Sequence, residues 1–310
     1  MREALLDAVR EIGRVIVGKE AVIEKILIAL LAEGHVLLDD VPGVGKTTLA
    51  VAISKTLGLT SQRVQCTPDL LPSDIIGFSI YDRESGGFVY RQGALGGIHL
   101  LLADELNRAS SKTQSALLEA MEERQVTVDG VTHPLERPFA VIATQNSVGA
   151  VGTQPLPYAQ MDRFAVRLTI GYPDYEAQMT LLRDRQTDDP LQHTANVMTR
   201  EDFCGMQRQA RQVTVKDSIL DYITRLTMAS REHEAVRTGI SPRGALYLNR
   251  IAKAHAFADG RDYVTGADVQ TVFADVCTHR LVLRDEGADP VQVLDGLLRK
   301  VGNPDRGVRR

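Results

Sequence analysis

The run from Val36 to Thr47 constrains this chain more than any other. Val36-Leu37-Leu38 reads as a short buried strand, and a Pro/Gly turn leads into a helix expected from about Lys46 to Leu57. In that order, Asp40-Val41-Pro42-Gly43-Val44-Gly45-Lys46-Thr47 is placed as a phosphate-binding loop. Gly43 and Gly45 let backbone N–H groups turn inward around phosphate oxygens. The helix N-terminus adds partial positive charge. Lys46 is spaced to bridge the β and γ phosphates, and Thr47 to bind Mg²⁺. Asp40 stands where the pattern has its first glycine, and aspartate tolerates left-handed backbone better than most residues.

Further short apolar strands are expected at 64–66, 98–103 and 140–143, with helices over 2–13 and 20–33 ahead of them. Val15-Ile16-Val17-Gly18 breaks those two helices. Apolar strands alternating with helices imply an α/β fold, a parallel sheet covered on both faces. Two hairpins interrupt it. One pairs 78–81 with 88–90 around the turn-rich 82–87. The other pairs 126–128 with 131–133 around Asp129-Gly130, a type I′ signal. Phe78, Tyr81, Phe88 and Tyr90 suit either inward packing, the expected reading, or a grip on a peptide.

The pattern changes near Gly171-Tyr172-Pro173 and becomes mainly helical. Thr199 to Asp202 and Thr265 to Asp268 resemble capping boxes. Ser241-Pro242 starts a helix that ends at about Ala258, before Asp259-Gly260. The expectation is an α/β domain over 1–172 and a helical domain over 173–310, with a polar loop at 187–196 and a solvated tail from Arg306 to Arg310.

Four more features bear on chemistry. Leu100 to Ala103 delivers Asp104 and Glu105 to a strand's carboxyl end, where ligands bind in open α/β sheets. With the loop upstream, Asp104 reads as a Mg²⁺ holder through water and Glu105 as the activator of an attacking water; alone, such a pair is more often a helix cap. Asn146 leaves another apolar strand, positioned to orient water or touch a γ-phosphate, or simply to open a loop. Arg163, in Met161-Asp162-Arg163-Phe164, reads as a finger or as an interface salt bridge. Arg243 lies in a helix's first turn, where a cation is unfavourable unless a triphosphate offsets it; a solvated arginine is the plain alternative.

Composition removes other classes. There are 36 Lys+Arg against 40 Asp+Glu, a net charge of −4, so nucleic-acid coating is not expected. With no Trp and 5% aromatic residues, a base-stacking platform is not suggested either. Cys66, Cys204 and Cys277 are too scattered for a disulfide framework or a zinc site. Apolar runs such as Ile26 to Ala32 are far short of the ~20 residues that span a bilayer. The acid-bearing N-terminus does not read as a signal peptide, so a cytoplasmic protein is expected.

These elements, in this order, resemble the AAA+ ATPases, and the wording around them resembles the MoxR family. The matching stretches are HVLLDDVPGVGKTTLA, LLPSDIIG, LLLADELNRASSKTQSALLEAMEERQVTVDG, FAVIATQN, PLPYAQMDRF and ISPRGALYL, spanning about residues 35 to 250. The resemblance implies an ATP-binding core followed by a smaller helical lid. It gives Pro42, Gly43, Val44, Gly45, Lys46, Thr47 and Thr48 to the Walker A run, and Asp104 and Glu105 to Walker B. Asn146 becomes sensor 1, Arg163 the arginine finger and Arg243 sensor 2, with ATP clamping the two domains. Val17 and Gly18 match the segment lining the adenine pocket, and Arg108 is a second candidate for an intersubunit arginine. The hairpins at 78–90 and 126–135 match the family's helix-2 and pre-sensor inserts, which in relatives face a central pore or a partner.

Three residues depart from the family pattern: Ser147 for proline, Gln154 for tyrosine, and Tyr158 for a glutamate five residues before Arg163. The resemblance further implies Mg²⁺-dependent ATP hydrolysis, a hexameric ring, a protein client and a partner carrying a von Willebrand factor A domain. A magnesium-chelatase-type motor, a DNA-acting motor and a nucleotide-dependent assembly switch are the neighbouring alternatives.

Overall fold

The structure is a computed structural model and describes residues 2–84, 86–146, 156–186, 188–285 and 287–307. Ser147, Gln154, Thr187 and residues 308–310 lie outside the described residues. Helices α1 (Arg2–Val15) and α2 (Glu20–Leu31) precede β1 (Val36–Asp39), which feeds α3 (Lys46–Thr56). Then come β2 (Ser61–Gln65), α4 (Pro72–Ile76), and the ribbon β3 (Phe78–Asp82) with β4 (Gly87–Arg91). Strand β5 (Leu100–Asp104) leads through a short 3₁₀ turn into α5 (Ser111–Glu123). A second ribbon, β6 (Gln125–Val128) with β7 (Val131–Pro134), precedes β8 (Ala140–Gln145). The short α6 (Tyr158–Met161) and β9 (Val166–Leu168) complete this half.

Five strands form one parallel sheet in the order β2-β5-β8-β1-β9. Side chains alternate across it, as the pleat requires. Val36, Leu38, Leu100, Leu102, Ala140 and Ile142 join the core beneath α1, α2 and α3. Leu37, Leu101, Ala103, Val141 and Ala143 face the opposite core with Leu117, Leu118 and Met121 of α5. Burial on both faces makes β1, β5 and β8 apolar until their polar carboxyl ends.

The rest is helical: α7 (Tyr175–Asp184), α8 (Arg200–Gln212), α9 (Asp217–Glu232), α10 (Pro242–Ala258), α11 (Gly266–Cys277) and α12 (Pro290–Lys300). A small antiparallel pair, β10 (Val236–Thr238) with β11 (Val282–Leu283), adds to the expected helices. Both capping boxes form, at Thr199/Asp202 and Thr265/Asp268, and Ser241 caps α10 through the Gly244 N–H. The polar loop contains a 3₁₀ turn at Pro190–His193, tied to α3 by Lys55 Nζ donating to Leu191 O at 2.9 Å. Helices α8 to α12 share an apolar core with α1 and α2. Among the described residues, no helix is long and apolar enough to cross a membrane.

Asp129 and Gly130 both take positive φ, as a type I′ turn demands. The first ribbon corrects an expectation. Its aromatics do not pack inward: Phe78 is 47% exposed, Tyr81 59% and Phe88 77%, with Tyr81 and Phe88 edge-to-face at 5.7 Å. A two-stranded ribbon has no second layer to cover both its faces. Tyr90 alone of the four finds cover, stacked on His133 of β7 at 3.9 Å, which joins the two ribbons.

Candidate functional site

The site forms where β1, β5 and β8 end together. Gly43 and Gly45, at φ 84° and 89°, turn the chain out of β1 and into α3. No heavy atom outside its chain neighbours lies within 4 Å of where a Gly43 Cβ would stand, so a ligand can approach the bare backbone. Pro42 and Gly43 are exposed or half-buried at the rim, as are Val44 and Thr48. Lys46 Nζ donates to Asp40 O at 2.8 Å and to Asn146 Oδ1 at 2.9 Å. Burial pushes its ammonium below the ordinary lysine range, against the opposing pull of Asp40, Asp104, Asp39 and Glu105.

The Thr47 hydroxyl donates to Asp104 Oδ2 at 3.0 Å, and the Thr144 hydroxyl to Asp104 Oδ1 at 2.8 Å. Arg63 on β2 reaches the same Oδ2 with Nε and Nη2, at 3.0 and 2.8 Å. Glu105 sits in the left-handed region at φ 54°, ψ 50°, which costs a non-glycine residue ~1–2 kcal/mol. Its N–H donates to Thr144 Oγ1 at 2.9 Å, which fixes that turn. Its carboxylate accepts from Asn146 Nδ2 (3.1 Å), Gln65 Nε2 (3.3 Å) and Arg108 Nη1 (2.8 Å). Arg108 therefore lies at its own chain's acidic pair.

This donor set fits a magnesium–nucleotide complex. Thr47 and Asp104 offer hard oxygen atoms, the type Mg²⁺ prefers. The lysine ammonium faces only oxygens, and the loop backbone is uncovered at Gly43. The linker between α1 and α2 closes one side. Ile16 Cδ1 is 3.7 Å from the Cβ position of Gly45, and that of Gly18 is 3.0 Å from Ala177 Cβ, in the first turn of α7. Val17, half-buried, lies between them in sequence.

Asp40 does not serve through left-handed backbone: it is absent from the residues with positive φ. It is buried, and its carboxylate accepts N–H groups from Val41 (2.8 Å), Ile170 (2.6 Å) and Gly171 (2.7 Å). The aspartate thus clips the loop's start to the segment that leads into α7.

Arg163 and Arg243 are brought together, but not at this loop. Arg163 Nε is 3.3 Å from Glu122 Oε2, Arg243 Nη2 is ion-paired with Glu122 Oε1, and Arg243 Nη1 is 3.9 Å from Asp162. Glu122 ends α5 beside His35, whose Nε2 is 3.0 Å from Met121 O. His35 immediately precedes β1, and Arg163 lies three residues before β9, in register with it. Both arginines therefore stand at the amino ends of strands whose carboxyl ends carry the loop. The length of β1, roughly 13 Å, separates them from it. Arg243, expected as sensor 2 with ATP clamping the two domains, thus stands away from its own chain's loop. Tyr158, the departure near Arg163, donates to Arg280 O at 2.6 Å and Gly239 O at 3.2 Å, fastening α6 to the helical half.

The sequence reading missed Gln65, Arg63, Thr144 and Glu122. The first three sit on strand residues pointing at Asp104 or Glu105, and only the sheet register exposes them. It also missed Arg280, whose buried guanidinium pairs with Asp162 at 2.9 Å and with the carbonyls of Asp162 and Phe164, holding the turn that bears Arg163.

Comparisons with known proteins agree with this geometry. Residues 35–166 match the family model of the ATPase family associated with various cellular activities (AAA), and 228–297 match an AAA lid domain. The chain is 47% identical over 279 residues to the uncharacterized protein YeaC of Bacillus subtilis, covering 90% of this chain and 87% of that one. It is 39% identical to Chaperone MoxR1 of Mycobacterium tuberculosis, over 96% of this chain and 81% of that one. Protein MoxR of Methylorubrum extorquens is 30% identical, at 97% and 94% coverage. A crystal structure of a candidate ATPase from Cytophaga hutchinsonii superposes with a TM-score of 0.89 at 38% identity, over 97% of this chain and 95% of that one. With an AAA core, an AAA lid and relatives of this identity along nearly its whole length, the chain belongs to the MoxR family of AAA+ ATPases.

Proposed function

We propose that this protein hydrolyses ATP in sites completed between copies of the chain, and uses the cycle to remodel protein complexes. The observation that carries the reading is the pairing of Arg163 with Arg243 at the end of the sheet remote from their own chain's phosphate loop. Arginines so placed serve a triphosphate held by a neighbour. A head-to-tail contact that closes makes a ring, and the family resemblance supports six members.

In this reading the backbone from Pro42 to Thr48 cradles the phosphates, and Lys46 leaves Asp40 O and Asn146 to bridge the β and γ groups. Thr47 and Asp104 would hold Mg²⁺, which would supply positive charge against the phosphate oxygens. Glu105 orients and activates water, with Asn146 holding one of its oxygens. Val17 and Gly18 line the base. Phosphoryl transfer depends mostly on positioning and charge stabilisation, and an arginine supplied in trans contributes ~10³–10⁵ in rate. The boundary near residue 172 divides the core from the lid, and Asp40 ties the loop to the last core residues before it. Exposed Phe78, Tyr81 and Phe88 suit contact with a polypeptide client more than with a phosphate backbone. A partner with a von Willebrand factor A domain and a cytoplasmic setting belong to the same reading.

The test is ATPase rate per subunit against protein concentration, with Glu105→Gln as the blank. The rate climbs and then saturates as subunits assemble, and Arg163→Ala loses ~10³ in rate while still binding ATP. A flat rate from a chain that sizes as a monomer would refute the shared site.

A further inference from the structure

Glu122 is the last residue but one of α5, and each of its carboxylate oxygens holds a different arginine. Arg163 comes from the turn before β9, and Arg243 from the first turn of α10. Two guanidinium groups brought to one place repel, and a carboxylate between them removes that cost. The bonding is also uneven in a useful way. Arg163 is held through Nε, and among the described residues its terminal Nη1 and Nη2 have no partner. Those two nitrogens are the fork that grips an anion bidentately. Both arginines line a cavity of about 450 Å³ with Arg124, Arg211 and Arg250, five arginines against Glu33 and Glu122. Glu122 is 43% exposed, so it does not anchor the core. Asp162, the other acid near Arg243, is engaged elsewhere, by Arg280 Nε at 2.9 Å and by the Ser241 hydroxyl.

We propose that Glu122 is a positioning residue for hydrolysis in the neighbouring subunit. It holds the core's arginine and the lid's arginine at one carboxylate, so that both are presented to the neighbour's terminal phosphate at fixed spacing. This rests on the reading that Arg163 and Arg243 act in trans. Its particular content is directional: Glu122 matters to the arginines a subunit lends, and not to the phosphate loop the same subunit owns.

The experiment uses full-length chains mixed pairwise. The control mixes Arg163→Ala with Glu105→Gln. Neither hydrolyses ATP alone, and the mixture regains activity because the second lends intact arginines to the first. If that control stays inactive, the trans reading itself fails and the proposal falls with it. Given an active control, Glu122→Gln alone loses ~10–100-fold in kcat, the size of a small misplacement of catalytic groups. Its affinity for a fluorescent ATP analogue is unchanged. Mixed with Glu105→Gln, it recovers activity, because its own loop is intact and is served by the partner's arginines. The double variant Glu105→Gln/Glu122→Gln fails to rescue Arg163→Ala. A Glu122→Gln chain with native or raised kcat overturns the proposal, the raised rate meaning that Glu122 restrains the arginines. So does a variant that cannot be rescued by Glu105→Gln, which would make Glu122 a structural residue.

Discussion

Asp40→Gly would complete the glycine pattern of the phosphate loop, and the structure requires that it weaken the protein. The carboxylate of Asp40 is 8% exposed and accepts the N–H groups of Ile170 and Gly171 at 2.6 and 2.7 Å. Both bonds end on one oxygen, Oδ2, and glycine removes it. The Ile170 N–H is buried, so water does not readily replace the lost partner. A hydrogen bond to a charged group contributes ~1.5–3 kcal/mol, which makes the pair worth about 4 kcal/mol. Glycine's extra freedom in the unfolded chain adds ~0.5–1 kcal/mol to the loss. The third bond, to the Val41 N–H, joins adjacent residues and ties no distant segment to the loop. At ~2 °C per kcal/mol for a chain of this size, melting should fall by roughly 10 °C without nucleotide. Asp40→Asn keeps one acceptor oxygen without the charge, and should lose about half as much. The assay is thermal unfolding followed by circular dichroism on the three chains side by side. An Asp40→Gly chain that melts with the native one would refute the account of Asp40 as the clip between the loop and residues 170–171.

Lys46→Ala should abolish binding of a fluorescent ATP analogue, whereas Glu105→Gln should bind it normally and not turn it over; equal affinities in all three chains would sink the loop assignment. His35 is fully buried, and burial depresses its imidazole from 6.5 to about 4. Its Nδ1 accepts the Val141 N–H at 3.0 Å, leaving Nε2 to donate to Met121 O. The folded chain thus keeps the ring neutral while the unfolded chain takes up a proton, so stability is lost as pH falls from 6.5 to about 4, by about 3 kcal/mol. NMR of labelled imidazole at pH 5 should show a neutral Nε2–H tautomer, and a doubly protonated ring there would contradict the burial argument.

How much of this was legible in the residues depends on where each constraint comes from. The phosphate loop was, because glycines, lysine and threonine in fixed order answer to a local demand of the backbone. Strands β1, β5 and β8 were, because burial on both faces writes itself as uninterrupted Leu, Ile, Val and Ala. Strand β2 was half-hidden: it is an edge, and Ser61, Gln62 and Arg63 face solvent. The opposite edge, β9, is three residues long and was not expected at all. Arg163 and Arg243 were recognisable as chemistry, yet their meeting at Glu122 was not, since 121 residues separate Glu122 from Arg243 and only the packing of α10 on the core unites them. The exposed aromatics of β3 and β4 failed for a related reason. Alternation says that a ribbon has two faces, and not which of them another layer will cover.

Helix α5 follows Glu105 after one 3₁₀ turn and carries Glu122 in its last turn, so on the proposed shared site a subunit's own acidic pair and the arginines it lends lie toward the two ends of a single rod. Thirteen residues at 1.5 Å each give it a length of roughly 20 Å. A shift of the acidic pair on hydrolysis would be felt at the far end as a shift of the finger against the next ATP. In a ring built as proposed, sites joined this way would not keep independent time: a stalled member would silence the one after it, and turnover would travel around the ring in a fixed direction. Rings doped with increasing Glu105→Gln should therefore lose activity faster than the fraction of inactive chains, and a strictly proportional loss would show that each site runs alone.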